Sequence, residues 1–123
     1  MSVFLVMTGG AVGAGARHLV GRATATLFGP ELPVGTLAVN LLGGLLMGLL
    51  VGTLTRTDAP DGWRLFFGTG VLGGFTTFSA FSLDVVTLAE RGQLAMAIGY
   101  AMLSVVGAIA ALVAGLALTR VPA

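Results

Sequence analysis

The sequence predicts an all-α membrane protein with four transmembrane helices, the third broken in mid-membrane, assembling as an antiparallel dimer. Three observations carry this. The 123 residues are 56% hydrophobic and 9% charged, with a mean hydropathy of +1.03. No soluble domain of this size needs so much apolar surface, so the chain reads as one domain in a lipid bilayer. Four long apolar runs follow one another at about residues 3–27, 34–55, 65–89 and 92–119. Inside the third run, residues 73–82 read Gly-Gly-Phe-Thr-Thr-Phe-Ser-Ala-Phe-Ser, where a lipid-facing helix would be plain Leu, Val and Ala.

Composition also excludes several classes. There is no cysteine and one histidine, so thiol chemistry and a transition-metal site are disfavoured. All six basic residues are arginine and the net charge is +1, which makes no basic patch for nucleic acid. Glycine occurs 20 times, as expected where membrane helices pack backbone to backbone.

The first run is uncharged only from Val3 to Ala16, too short to cross a bilayer alone. It must continue through Arg17 and His18 toward Leu27. The first residues, Met1-Ser2-Val3-Phe4, carry no basic side chain, so the run reads as a retained span and not as a signal peptide. Two roles are open to Arg17: snorkelling to the headgroups, or a cation in a water-filled mouth. Gly9 and Gly13 have GxxxG spacing and mark a face for close helix contact.

Gly29-Pro30 and Pro33 punctuate a loop. The second run, residues 34–55, is 22 residues without a charge, roughly 33 Å at 1.5 Å per residue. Gly44, Gly48 and Gly52 repeat every fourth position. Asn40 breaks the pattern. Its amide needs partners in hydrocarbon. It can bond to a neighbouring helix, or its NH2 can offer two donors to an anion.

Residues 56–64 read as a polar loop, with Trp63 as an interfacial anchor. In the third run, Gly73-Gly74 and the β-branched pair Thr76-Thr77 weaken a helix. A break in mid-membrane is tolerated where freed backbone groups are buried, line a cavity or hold an ion. The alternative is a kinked helix whose hydroxyls bond back to it. Asp84 follows at the far mouth, and Glu90-Arg91-Gly92 makes a turn. The fourth run, 92–119, has 28 uncharged residues and is long enough to tilt. Tyr100 and Ser104 share one face of it.

Four spans put Arg56, Arg64 and Arg120 on one side and Arg17, Arg22 and Arg91 on the other. Such a balance gives the positive-inside rule no preference. A chain inserting both ways can pair antiparallel about an axis in the membrane plane.

The middle of each span lacks Asp, Glu and Lys, which disfavours proton-coupled exchange. What remains at depth are donors: Asn40, Thr76, Thr77, Ser79, Ser82, Tyr100 and Ser104. Donors with an arginine at one mouth suit a small anion. Phe78 and Phe81 share a helix face, and the positive edges of their rings can attract an anion weakly. Ordinary core or lipid-facing packing is their plainer role.

Four blocks resemble the CrcB/Fluc family of small fluoride channels. They are Gly9-Gly10-Ala11-Val12-Gly13-Ala14-Gly15-Ala16-Arg17; Gly35-Thr36-Leu37-Ala38-Val39-Asn40 with Gly43; residues 73–82; and Tyr100 with Ser104. The resemblance implies a passive, fluoride-selective channel in the cell inner membrane or plasma membrane that lets toxic fluoride leave the cell. It implies a dual-topology homodimer with two pores, or in some members a pair of paralogues. It also implies Phe78 and Phe81 as an aromatic box and Asn40 as the pore amide. Thr77, Ser79, Tyr100 and Ser104 would lie along the pore, with Arg17 in the vestibule. A structural Na+ would be held at the dimer centre by backbone carbonyls of Gly73 and Thr76. Ala80 stands where the family commonly has Thr, and Asp84 where it commonly has Glu. Two rivals are a four-span drug exporter and a structural subunit without transport. The chain does not read as an enzyme.

Overall fold

The computed structural model describes residues 2–57 and 59–119. Met1, Asp58 and Arg120, which entered the readings above, lie outside the described residues. Among the described residues the chain is helical, with four segments long and apolar enough to cross a membrane. Helix α1 is Ser2–Phe28 and α2 is Val34–Arg56. The third span, Asp61–Glu90, has two parts. We call α3 its first part, made of Asp61–Trp63, Arg64–Leu72 and Gly73–Phe75 without interruption, and α4 its second, Phe78–Glu90. Helix α5 is Leu94–Thr119.

Two joints use glycine in the left-handed region. Gly29 has φ +89° and its N–H closes the end of α1 on the Ala25 carbonyl at 2.9 Å. Gly92 has φ +78°, and Gln93 donates to Leu88 while Gly92 donates to Ala89. This double bond pattern is a Schellman cap, so the last helix begins at Leu94 and not at Gly92. The loop between the second and third spans is shorter than the polar run 56–64 suggested. Pro60 (φ −61°, ψ 152°) opens a helix at Asp61, whose carboxylate suits a helix N-terminus. Trp63 and Arg64 are therefore helical, and the Trp63 ring stacks on Phe67 at 5.6 Å.

Glycines decide which helices meet. A Cβ at Gly13 would lie 2.8 Å from the Phe75 nitrogen, and one at Gly74 would lie 2.5 Å from the Gly10 carbonyl oxygen. Positions 9, 13 and 10 of α1 thus advance with 70–75 of α3, and the two helices run parallel. On the other side, Gly44 faces Ala108 and Gly48 faces Gly115 of α5, while Gly52 faces Thr119. Helices α2 and α5 are likewise parallel, and the two are in contact along much of their length. Their C-termini lie together, where Arg56 donates to the Thr119 carbonyl at 2.9 Å. A cation there complements both helix dipoles. Large side chains such as Phe4, Leu19, Val106 and Ile109 remain exposed, as a lipid-facing belt does.

Residues 64–72 of α3 are wound with i→i+5 hydrogen bonds, a π-helix. Gly73–Phe75 add a last α-helical turn, after which helical dihedrals cease. Thr76 (φ −87°, ψ 160°) and Thr77 (φ −154°, ψ 126°) are extended. The chain turns helical again at Phe78.

Candidate functional site

Extended backbone inside a helical bundle must find new hydrogen-bond partners. Side chains of α1, α2 and the span itself supply several around Thr76 and Thr77. From α2, the Asn40 Nδ2 donates to the Thr77 carbonyl at 3.0 Å, and the Thr77 N–H donates to Asn40 Oδ1 at 2.9 Å. From α1, the Arg17 Nε donates to the Gly74 carbonyl at 3.1 Å. Within the span, the Thr77 hydroxyl accepts from the Ala80 N–H at 3.1 Å, a threonine N-cap on α4. The Thr76 hydroxyl donates back to the Leu72 carbonyl at 3.0 Å.

Two cavities flank these residues. One is an open groove of about 430 Å3 whose lining includes Asn40, Thr76, Thr77, Phe78, Phe81 and Ser104 above an apolar wall of Met47, Val105, Ala108, Ile109 and Leu112. Among the described residues no charged side chain lines it. The other, of about 380 Å3, is lined by Arg17, His18, Arg22, Thr36, Thr77 and Ala80 among others. Thr77 borders both, so the extended pair separates a cationic cavity from a groove of neutral donors.

The aromatic rings run as a chain. Phe78 lies 5.5 Å from Phe81, and Phe81 lies 5.5 Å from Tyr100, tilted by 43° and 41°. Their surroundings differ. Phe81 is 8% exposed in a core with Leu88, Ala97 and Tyr100, whereas Phe78 is 76% exposed. The Tyr100 hydroxyl donates to Asp84 Oδ2 at 3.0 Å. The Ser104 hydroxyl is buried with no hydrogen-bond partner among the described residues and borders the groove.

The structure therefore gathers Asn40, Thr76, Thr77, Phe78, Phe81 and Ser104 at one groove. Tyr100 touches this group through Phe81 but does not line the groove. Ser79 is exposed, its hydroxyl 3.3 Å from that of Thr77, and Gly73 is exposed on α3. Arg17 departs from the snorkelling alternative: its Nε turns inward to a main-chain carbonyl, because that carbonyl has lost its helical donor. Asn40 has one Nδ2 hydrogen engaged with Thr77, so it offers one free donor where the sequence suggested two. Sequence reasoning missed the Gly74 carbonyl and the cap made by Thr77. For the cap, a threonine just ahead of a helix start was the available signal. For Gly74 no signal exists in the sequence, because a carbonyl is common to all residues.

A family model described as "CrcB-like protein, Camphor Resistance (CrcB)" matches residues 4–116. A protein of Sphingopyxis alaskensis named fluoride-specific ion channel FluC is 56% identical over 120 residues, covering 97% of this chain and 95% of that one. A protein of the same name from Mesorhizobium japonicum is 51% identical over 119 residues, covering 97% and 96%. One of Nitrobacter hamburgensis, named fluoride-specific ion channel FluC 2, is 51% identical over 121 residues, covering 98% of each. Matched over nearly its whole length by the family model and by these relatives, this multi-pass membrane protein belongs to the CrcB family.

Proposed function

We propose that the chain is the subunit of a passive, fluoride-selective channel that lets fluoride leave the cell and so limits its toxicity. It carries out no chemical transformation. The observation that carries this reading is the groove beside Thr76 and Thr77. Its donors are the Asn40 amide and the Thr77 and Ser104 hydroxyls, the Thr76 O–H being given to the Leu72 carbonyl, and among the described residues no carboxylate lines it. Neutral donors in a largely apolar setting favour a small anion, whereas a cation path would want carboxylates or many convergent carbonyls. Relatives 51–56% identical are named fluoride-specific ion channels, which points to fluoride as the anion.

Fluoride would gather at the cavity lined by Arg17 and Arg22 and pass Thr77 into the groove. There the rings of Phe78 and Phe81 would present their positive edges. That attraction is weak, and weak binding lets the ion leave. Ser104, buried without a partner, has a hydroxyl hydrogen to give. Ser79 and Tyr100 extend the polar path in this reading.

The functional unit would be an antiparallel homodimer in the cell membrane, with a paralogue pair as its variant. The balanced arginines and the groove open on one face of the chain support this arrangement. The same proposal includes a structural Na+ at the dimer centre, held by the Gly73 and Thr76 carbonyls of both copies. Hydrogen bonding fits these ligands. In an uninterrupted helix, Gly73 would accept from the N–H of residue 77 and Thr76 from that of residue 80. The first of these donates instead to Asn40 and the second to the Thr77 hydroxyl. Both carbonyls are thus left for a hard cation, which would neutralise their partial charges.

The test is ion efflux from liposomes carrying the purified protein, read by a fluoride electrode and a chloride electrode in parallel. Rapid fluoride release with chloride retained is the expected result. Retention of both ions by a verified dimer would contradict it.

A further inference from the structure

Asn40 is the sole asparagine in the chain. Its amide makes two bonds to one residue, donating to the Thr77 carbonyl and accepting from the Thr77 N–H. The pairing is that of two adjacent strands, with a side chain standing in for one of them. It also has a polarity. A backbone N–H only donates, and a backbone carbonyl only accepts. Turning the amide over would set Oδ1 against the carbonyl oxygen and Nδ2 against the N–H. Both bonds would be lost and two part-buried main-chain groups left without partners, which is costly. Only one orientation of the amide survives. In it, a single Nδ2 hydrogen remains free on a residue that lines the groove, where the buried Ser104 hydroxyl also lacks a partner.

We infer that the main chain of Thr77 is a specificity-determining element: it locks the Asn40 amide so that an ion in the groove meets a hydrogen-bond donor and never the amide oxygen. Thr77 is a positioning residue here, acting through Asn40. The inference rests on the anion-channel reading and deepens it, because it assigns the preference for negative charge to a backbone that a side-chain substitution does not remove.

Because Asn40 is alone of its kind, labelling with 15N-asparagine yields one side-chain NH2 group in an NMR spectrum of the full-length protein in nanodiscs. Without fluoride, its two hydrogens should exchange with deuterated water at rates at least tenfold apart, the slower one being held by Thr77. Equal rates would overturn the lock whatever the protein conducts. On adding sodium fluoride, with sodium chloride as control, the faster-exchanging hydrogen should shift and the slower one stay. A shift of both, of the slower one alone, or of neither would overturn the assignment. Fluoride efflux by the same preparation tests the channel reading separately. As a second arm, threonine at 77 is replaced by its α-hydroxy analogue, which turns the N–H into an ester oxygen. Fluoride release should fall at least tenfold, and Asn40→Ala in that background should add no further loss. Losses that multiply would show that the two groups act independently and would overturn the proposal.

Discussion

The Nε of Arg17 donates to the carbonyl oxygen of Gly74 at 3.1 Å, from one helix to the last turn before the extended pair of the third span. In an uninterrupted helix that carbonyl would accept from the N–H of residue 78. A part-buried guanidinium thus replaces a main-chain donor and places positive charge where helix α3 ends.

This relationship separates two properties of Arg17 by substitution. A glutamine amide nitrogen falls at the same distance along the side chain as the arginine Nε, so Arg17→Gln keeps the bond without the charge. Arg17→Lys keeps the charge and puts a methylene at that place. The neutral hydrogen bond that glutamine keeps contributes about 0.5–1.5 kcal/mol. Thermal unfolding in detergent should therefore find the lysine variant less stable than the glutamine variant. Fluoride efflux should rank them the other way, since the cavity beside Arg17 loses a cation only in the glutamine variant.

Phe78 and Phe81 are expected to differ in the same two assays. Phe78→Ile should lower fluoride flux sharply and leave the melting temperature unchanged, because the ring is exposed. Phe81→Ile should lower both. It removes a ring packed at 5.5 Å on Tyr100 within the core, at a cost of about 1–2 kcal/mol. Normal flux in a well-folded Phe78→Ile protein would contradict a role for that ring in the pore.

Gly48→Ala tests the parallel pairing of α2 and α5. The added Cβ would lie 3.0 Å from the Gly115 Cα, with backbone and not a flexible side chain as the obstacle. The helices would have to separate, costing about 1–3 kcal/mol, read as a lower melting temperature and a smaller yield of assembled protein. Gly15→Ala is the control. Its Cβ would meet nothing within 4 Å, and alanine is the better helix former by about 1 kcal/mol.

Thr76→Val should leave any dependence of assembly on Na+ intact. The proposed ligand is the carbonyl, and the Thr76 hydroxyl is engaged with Leu72. The methyl facing Gly43 is also kept. The check is dimer lifetime in sodium against N-methylglucamine, which should be equally sodium-dependent in both proteins.

The four spans could be read along the chain because hydropathy and length are local properties, and a bilayer allows few ways to satisfy backbone groups. The weakness at residues 76–77 was likewise local, since Gly-Gly and Thr-Thr lower helix propensity wherever they occur. Donor chemistry at Asn40, Thr77 and Ser104 followed from residue type alone.

Partnership did not. Gly9 and Gly13 announce a close contact but not that α3 fills it, and the stripe from Gly44 to Gly52 does not name α5. Which groups around the extended pair stay free depended on a neighbour's reach. Asn40 takes the Thr77 N–H and so frees the Gly73 carbonyl, and Arg17 takes the Gly74 carbonyl. Phe78 and Phe81 have the same side chain, yet one is exposed and the other is core. The sequence by itself determined a four-span membrane helix bundle with a weak point in its third span and donors nearby. Only the tertiary structure decided which of those donors remain free, because hydrogen-bond capacity is finite and its use is settled by which helices lie within about 3 Å of each other's polar groups.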